Sequence, residues 1–527
     1  MSQSTVVYST SLHSLGDTVL LDISLSATPC RIRLLDCGQF LDHDVLAIHE
    51  YPDIPSFPYT AISYIWKGLG VGPSHTDDKY GTFAIKGAED GDPISIDVLK
   101  HACTAAIQNG SGYIWLDRLC ILQNDSDDKA WQIRQMYKIY KSCAMCIVLP
   151  GGGRRLARID EETTWIQRSW TLPEVIAQSN VMILYAWTYG KALSSSSASA
   201  VFTYTEVIQG QSAICSLDHA LQVSVGNLYE LTTERKNFNS FSIKLVGCAG
   251  DPNTGALLAA LNGGGIQSEA GVQAVWRCSL MRTSSFPVDA VLSIMGLFGV
   301  TLDPRAFQKG DRRGATIALA KEILQKGGRA SWLAPSLSLP PAKGLSAFPE
   351  FPHVSVAGQA TLTTEEGDRP VAELLPWVGE GWLDGIPTGM MDDAGYFTFS
   401  SSAALLIPTG LQKDDPTLYD NESPLDATGQ LQIIAMDGAI WRLHLDGEET
   451  YQPERRAFMV FVGALVHYTS AAFGCYVDTY RYRAMLVEEH EAGKFHRTSY
   501  FALGEAYMSY IERCKSYTFC LGGPFDE

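Results

Sequence analysis

The chain has 527 residues, of which 46% are hydrophobic and 19% charged, a composition that excludes a largely disordered protein. Forty Lys and Arg against 58 Asp and Glu give a formal net charge of −18. A field of that sign repels nucleic-acid backbones, and no basic patch interrupts it, so nucleic acid is excluded as the expected partner.

Short apolar runs alternate with amphipathic segments from the N-terminus to about residue 190. The predicted strands and helices there are Ile32–Leu35, Ala61–Ile65, Ile96–Gln108 (helix), Tyr113–Leu116, Asp125–Tyr140 (helix) and Cys143–Leu149. This rhythm predicts an α/β domain over residues 1–190, with a mainly parallel sheet covered on both faces. Ile62, Ile114 and Val148 are expected in its core.

Two breaks divide the rest of the chain. The Ser/Ala tract Ser194–Ala200 is one, and a proline-rich segment between Pro335 and Pro352 reads as a linker. Residues 191–335 are predicted to be mostly helical, and residues 336–527 to form a β-rich accessory region. The length of the chain agrees with two or three domains.

Three segments of the predicted α/β domain carry a specific pattern. They are Tyr59-Thr-Ala-Ile-Ser-Tyr64-Ile-Trp66-Lys67-Gly68, Trp115-Leu-Asp117-Arg118-Leu-Cys120-Ile-Leu-Gln123 and Arg168-Ser-Trp170-Thr171-Leu-Pro173-Glu174. In this order and spacing they resemble the Tyr-Trp-Gly, Trp-x-Asp-x-x-Cys-x-x-Gln and Arg-x-Trp-Thr-x-x-Glu segments of the fungal heterokaryon incompatibility (HET) domain. Lys67, inserted before Gly68, and Pro173, where the family usually has Gln, depart from that pattern.

The resemblance implies a TIR-like (flavodoxin-like) fold, because HET domains are similar in fold to TIR domains. Some TIR domains cleave the nicotinamide glycosidic bond of NAD with a Glu placed four residues after a Trp. Trp170 and Glu174 have that spacing, which puts both side chains on one face of a helix. A carboxylate beside the ribose can stabilise the oxocarbenium-like charge left when nicotinamide departs.

Glu174 and Asp117 are therefore the candidate catalytic residues. Asp117 follows a predicted parallel strand, where open α/β sheets place their ligand sites. The candidate ligand-binding residues are Tyr64, Trp66, Arg118, Cys120, Arg168 and Trp170. Tryptophan can stack on a flat ring, and arginine can pair with phosphate. NAD enters as a possible substrate, and neither a cofactor nor a metal is predicted.

Glu174 and Asp117 also have structural interpretations. Thr171 to Glu174 fits a capping box, in which Thr171 is the N-cap and Glu174 reaches back to its N–H. Asp117 suits a cap on the turn that follows its strand. Trp66 and Trp115 suit a core better than a stacking platform.

Two further motifs favour structural roles. Cys120 suits a small buried hydrophobe, since a nucleophile would need a base and His101 is the only histidine close in sequence. The loop Gly151–Gly153 lacks the Lys-Ser/Thr of a phosphate-binding loop and is predicted to be a flexible surface loop.

The resemblance implies a signalling protein of self/non-self response, which triggers cell death or growth arrest when it assembles, possibly as a homo-oligomer. Possible NAD(P) or nucleotide glycohydrolase activity through Glu174 is compatible with that role. The alternatives are a biosynthetic or metabolic enzyme that reuses the fold, and a non-enzymatic interaction module. We predict that Tyr64, Trp66, Asp117 and Arg168 converge with Glu174 near the carboxyl edge of the sheet, with Glu174 within about 15 Å of Asp117.

No membrane span or secretory signal is predicted. The longest apolar run, Ala457–Val466, is about half the length that a membrane-spanning helix needs. Met1–Leu20 lacks a basic segment followed by an apolar one. We therefore expect a cytoplasmic location, where most of the 12 cysteines stay reduced.

Overall fold

The computed structural model describes residues 4–15, 20–69, 79–196, 201–225, 229–234, 237–241, 243–247, 250–262, 265–375, 382–417, 420–425, 429, 431–444, 454–466 and 481–524. The chain folds into two compact units. The first comprises Met1–Leu261, Arg282–Arg312 and Val354–Gln359, and the second comprises Asn262–Met281, Arg313–His353 and Ala360–Glu527.

The strands are β1 (Thr5–Ser11), β2 (Leu20–Leu21), β3 (Ile32–Asp36), β4 (Val45–Tyr51), β5 (Thr60–Tyr64), β6 (Thr82–Ile85), β7 (Ile94–Ser95), β8 (Tyr113–Trp115), β9 (Met145–Leu149), β10 (Val181–Ala186), β11 (Ala192–Ser196), β12 (Val201–Ile208), β13 (Ser212–Ser216), β14 (Tyr229–Thr233), β15 (Asn237–Phe241), β16 (Pro341–Ala342), β17 (Leu345–Pro349), β18 (Thr361–Thr364), β19 (Gly367–Pro370), β20 (Trp382–Asp384), β21 (Met390–Met391), β22 (Phe397–Gln412), β23 (Gln432–Ile434), β24 (Ala439–Leu443), β25 (Ala457–Val466), β26 (Arg481–Glu491), β27 (Lys494–Leu503) and β28 (Ser516–Leu521). The α-helices are α1 (Cys37–Asp42), α2 (Ile96–Gln108), α3 (Asp117–Cys120), α4 (Ser126–Ser142), α5 (Thr171–Ile176), α6 (Leu217–Val225), α7 (Pro252–Asn262), α8 (Glu269–Leu280), α9 (Asp289–Met295), α10 (Arg312–Gln325), α11 (Leu333–Ser336), α12 (Val371–Leu374) and α13 (Met508–Ile511).

The first unit is built on a sheet with the strand order β1-β4-β3-β8-β5-β9-β10-β13-β12-β11-β14-β15. Its central strands β8, β5, β9 and β10 are parallel, and every other neighbouring pair is antiparallel. The predicted mainly parallel sheet is therefore wrong, because the sheet is mixed around a parallel centre. Ile62, Ile114 and Val148 are buried in that centre, as predicted.

The four parallel strands have a characteristic arrangement. Numbered along the chain, they lie in the spatial order second, first, third, fourth, which is the order of the flavodoxin-like doubly wound sheet. Strands β5 and β9 are buried along their whole length, as expected for central strands covered on both faces. The chain reverses its direction of winding between these two strands, so ligands of such sheets bind outside their carboxyl ends.

The region predicted to be mostly helical, 191–335, begins with strands. Strands β11 to β15 extend the sheet over residues 192–241, and only from α7 onward do helices dominate. Strand β12 reads Val-Phe-Thr-Tyr-Thr-Glu-Val-Ile, and β-branched and aromatic residues of this kind favour strands over helices. The helical prediction is wrong for this first part for that reason.

The second unit is β-rich, as predicted for the C-terminal region. Its main sheet has the order β20-β25-β26-β27-β28-β22-β24-β23, and β22 also pairs with β25, so five strands close into a ring. The predicted proline-rich linker is wrong, because β17 within it is buried and its Phe348 stacks on Trp332. Among the described residues, no helix has the length and apolarity needed to cross a membrane.

Candidate functional site

Asp117 is the centre of a hydrogen-bonded cluster at the carboxyl end of β8. Its Oδ1 accepts from the Tyr64 hydroxyl at 2.7 Å and from the Arg118 backbone N–H at 2.6 Å. Its Oδ2 accepts from the Trp66 indole N–H at 2.7 Å. Burial raises the pKa of Asp117, while these three donors act in the opposite direction. The structure thus brings together four of the predicted site residues, Tyr64, Trp66, Asp117 and Arg118.

Arg118 closes one side of this cluster through its buried guanidinium. Nη1 donates to the Asp92 carbonyl at 2.6 Å and Nη2 to the Ala88 carbonyl at 3.1 Å, and the guanidinium carbon lies 5.6 Å from the centre of the Trp66 ring. Both carbonyls lie in the loop between β6 and β7. The Arg118 side chain therefore connects this loop to the start of α3 by hydrogen bonds. Trp66 itself is partly exposed.

The loop after Trp66 packs against the glycine loop that follows β9. A Cβ on Gly68 would lie 2.1 Å from the Gly151 carbonyl oxygen, so only glycine allows this approach. The Leu69 N–H donates to that oxygen at 3.0 Å, and the Gly68 N–H donates to the Asp92 carboxylate at 2.7 Å. Gly151–Gly153 is buried, so the prediction of a flexible surface loop is wrong. Lys67 is exposed, which lets the inserted residue fit without disturbing the contact.

A buried ion pair supports the turn that carries Asp117. Arg33 on β3 pairs with Asp128 on α4 through two N–H···O bonds of 3.1 Å, and both side chains are fully buried. Arg33 also donates to the Cys120 carbonyl at 2.8 Å, and Asp128 accepts from the Leu122 N–H at 2.8 Å. These bonds fix the chain immediately after Asp117. The sequence analysis did not single out this pair, although a charged residue inside the apolar run of β3 signals a buried partner.

Glu174 lies on α5, which packs against β5, and its side chain is only 8% exposed. Burial raises its pKa well above the ordinary value. The negative charge of Asp117 adds to the rise, whereas hydrogen bonding with Ser63 and Tyr140 and the positive charge of Arg282 oppose it. Its Oε2 atom has no hydrogen-bond partner. A buried carboxylate oxygen in this state is costly, so it calls for a proton or a cationic ligand.

The capping-box interpretation of Glu174 is wrong. Helix α5 is preceded by Trp170, and no side chain caps its N-terminus. The Thr171 hydroxyl instead faces the carbonyls of Trp165 and Arg168, and it accepts from Arg282 at 2.7 Å. The capping box fails because the Thr171 oxygen accepts from Arg282 rather than from a helix N–H, while its proton is donated to those carbonyls. Pro173 lies in the first turn, where its missing N–H costs no helical bond.

Arg168 and Trp170 belong to a different cluster from Asp117. Arg168 donates to the Ser355 carbonyl at 2.7 Å and lies 3.4 Å from the Ser285 hydroxyl. Trp170 hydrogen-bonds to the side chain of Asp289, whose pKa burial raises to about 6. The described contacts therefore do not join Arg168 or Trp170 to Asp117.

The second cluster is linked to Glu174 through Arg282. The backbone of Thr283 pairs with Gln167 and Ser169, and Arg282 donates to the Arg168 carbonyl at 3.0 Å. The charge of Arg282 in turn lowers the pKa of Glu174. The sequence analysis did not single out Arg282, and its electrostatic role is visible only in the fold.

A groove of about 280 Å³ lies beside the second cluster, between α4, α5 and α9. Trp170 and Pro173 form one wall, and Tyr137 and Met295 contribute to the other. Glu174 is not among the residues that line it. Any ligand of Glu174 would therefore reach it from another direction or after a local rearrangement.

Cys120 and His101 do not form a nucleophile–base pair. Burial raises the pKa of the Cys120 thiol to about 12, and its Sγ atom is 3.4 Å from the Leu116 N–H. His101 is buried 2.8 Å from the Ser212 hydroxyl, and burial lowers its pKa to about 4. Both residues fit the structural roles that the sequence favoured.

Tyr64→Phe will destabilise the first unit more at high pH than at low pH. In the wild type, the Tyr64 hydroxyl bonds to the ionised form of Asp117 and so lowers the pKa of that carboxyl. The free energy of unfolding that is lost with the hydroxyl therefore grows as Asp117 deprotonates. We expect about 1.5–3 kcal/mol when Asp117 is ionised, the usual size for a hydrogen bond to a charge. Denaturant unfolding at about pH 5 and about pH 8 measures the difference.

Tyr59→Phe is the matched control, since the Tyr59 hydroxyl donates at 2.6 Å to the neutral Ile139 carbonyl. Its loss should cost about 0.5–1.5 kcal/mol at both pH values. Equal pH dependence of the two variants would contradict the assigned role of Asp117 as the charged acceptor.

Comparison with known proteins finds a family match that includes part of the candidate site. Residues 59–169 match the family described as Heterokaryon incompatibility protein (HET). A stretch of 154 residues is 27% identical to the vegetative incompatibility protein HET-E-1 of Podospora anserina, covering 26% of this chain and only 11% of that protein. No solved structure matches the chain significantly. The chain thus carries a HET domain, and Tyr64, Trp66, Asp117 and Arg168 lie within the matched residues.

Proposed function

We propose that this HET-domain protein acts in a heterokaryon-incompatibility-type response by hydrolysing the N-glycosidic bond of a nicotinamide nucleotide, with Glu174 as the essential carboxylate. The observation that carries the proposal is the buried, unpartnered Oε2 of Glu174 beside the Asp117 cluster. The flavodoxin-like order of the four parallel strands supports the TIR-like comparison from which this chemistry comes.

The chemistry suits a carboxylate whose pKa burial has raised. The nicotinamide ring of the substrate is positively charged, so its arrival favours the ionised form of Glu174. As the ring leaves, positive charge moves to the ribose, where Glu174 can stabilise it. Water then adds to the ribose carbon from which nicotinamide has left. The products are nicotinamide, the rest of the nucleotide with a hydroxyl on that carbon, and one proton.

In this proposal Asp117 is a positioning residue. Its carboxylate already accepts from Tyr64, Trp66 and the Arg118 N–H, which leaves little capacity for proton transfer. It fixes the indole of Trp66, whose exposed part can stack on a substrate ring. Arg118 has its two terminal nitrogens on backbone carbonyls, so it too holds the loop in place.

The test is direct. Purified full-length protein is incubated with NAD, both free and artificially clustered, and nicotinamide is measured by chromatography. Release above the uncatalysed rate is the expected result. No release in either state would reject the glycohydrolase.

A non-enzymatic signalling module is the second candidate. The observation that favours it is the 8% exposure of Glu174, which is low for a residue that must touch substrate. Under this alternative, clustering would produce the cellular response without consuming any nicotinamide nucleotide. The same incubation therefore separates the two candidates.

A further inference from the structure

A pair of histidines lies in the second unit, on the hairpin of β26 and β27. His490 is near the end of β26, and His496 is near the start of β27. Their Nδ1 atoms are 3.3 Å apart, and the two rings are inclined by 70°. Both side chains are partly exposed, so a small solute can reach them.

The spacing of the two nitrogens fits two metal ligands better than a hydrogen bond. N–H hydrogen bonds usually span about 2.7–3.2 Å, so 3.3 Å is long for one. Two nitrogens bound at about 2.0–2.1 Å to a tetrahedral ion lie about 3.3 Å from each other. An ion placed between the rings would therefore need little movement of either strand.

Tyr396 fixes the orientation of one imidazole. Its hydroxyl lies 3.2 Å from the Nε2 atom of His490, and its ring is buried. When Nδ1 binds a metal, the ring proton resides on Nε2, which can then donate to the Tyr396 oxygen. Metal-bound histidines usually have an outer partner of this kind, which holds the ring and its tautomer.

The electrostatic surroundings permit a cation. Lys494 is neutralised by its ion pair with Glu491 at 2.8 Å. The negative charge of Glu488 opposes the positive charge of Arg455 at His496. Positive and negative charges around the pair therefore roughly balance.

We propose that His490 and His496 bind a divalent transition-metal ion through their Nδ1 atoms, with Tyr396 as the positioning residue. In the part of the chain that the structure describes, no three His, Cys, Asp or Glu side chains converge on one ion. The remaining coordination positions therefore belong to water or to an incoming ligand, which makes the site an open one. The ion therefore links β26 and β27 in addition to the backbone hydrogen bonds of the hairpin.

The experiment is a calorimetric titration of Zn²⁺ into the metal-free full-length chain. We expect one binding event that His496→Gln abolishes and that Tyr396→Phe weakens by about tenfold, as loss of an outer partner usually does. His353→Gln is the matched control, because His353 is an exposed histidine of the same unit whose Nε2 lies 2.8 Å from the Thr363 hydroxyl. Binding to that variant should equal the wild type.

The difference between variants isolates the histidine pair, because every variant retains the same cysteines and any zinc they bind. Equal zinc affinity of the wild type and His496→Gln would overturn the proposal and leave a simple hydrogen-bonded pair. Circular dichroism without zinc shows whether His496→Gln folds. If it does not, His490→Gln decides, since it removes the other proposed ligand, and unchanged zinc affinity in that variant would reject the site.

Discussion

Glu174→Gln will reduce the turnover of a nicotinamide nucleotide by about 10²–10³-fold, the loss typical of removing one group that stabilises transition-state charge. Glutamine keeps the size of the side chain and loses only the capacity for negative charge. Nicotinamide release by the purified variant, measured beside the wild type, gives the ratio. The ratio of the two turnover rates can be measured only with an active wild type, which the glycohydrolase proposal expects.

The same substitution should leave the thermal stability unchanged or slightly raised. Burial raises the pKa of Glu174, so the folded protein favours the neutral carboxylic acid, which a neutral amide resembles. Glu162→Gln is the matched control, because Glu162 is 71% exposed and faces only Lys244 at 3.8 Å. Full activity of Glu174→Gln in a folded protein would show that Glu174 is not the carboxylate of the reaction.

Arg33→Met will lower the free energy of unfolding of the first unit by about 3–5 kcal/mol. The substitution leaves Asp128 as a buried charge without its cation, and removes the bond to the Cys120 carbonyl. Denaturant unfolding measures the loss, followed through a probe in the first unit because two units need not unfold together.

Arg158→Met provides the matched control for Arg33→Met. Arg158 pairs with Asp160, but the two side chains are 59% and 53% exposed, so the loss should be about 0–1 kcal/mol. The double variant Arg33→Met/Asp128→Leu should regain only part of the stability, because it removes the stranded charge but leaves the Leu122 N–H without its acceptor. A single variant as stable as the control would mean that water or another group compensates Asp128.

The local elements were predictable where periodicity and stop signals agree. Helix α2 has the predicted bounds Ile96–Gln108, because its apolar spacing ends at Asn109-Gly110 and Gly110 adopts the positive φ of 82° that glycine favours. The buried central strands follow from their continuous apolar runs. Strand direction was not predictable, because the antiparallel strands β3 and β13 are nearly as buried as the parallel strands β5 and β9.

The candidate site was predictable only in part. The motifs pointed to Tyr64, Trp66 and Asp117, and their mutual hydrogen bonds follow from the meeting of two strand ends. Arg168 carried the same motif signal, yet its guanidinium bonds to Ser355, 187 positions away. A local sequence motif does not identify partners that lie so far apart along the chain.

The interleaving of the two units limits how the chain can be divided. The chain passes between them at 261/262, 281/282, 312/313, 353/354 and 359/360. A fragment ending near residue 190 would lack the Thr283 backbone that pairs with Gln167 and Ser169 beside Glu174. No single breakpoint can therefore separate the first unit from the second.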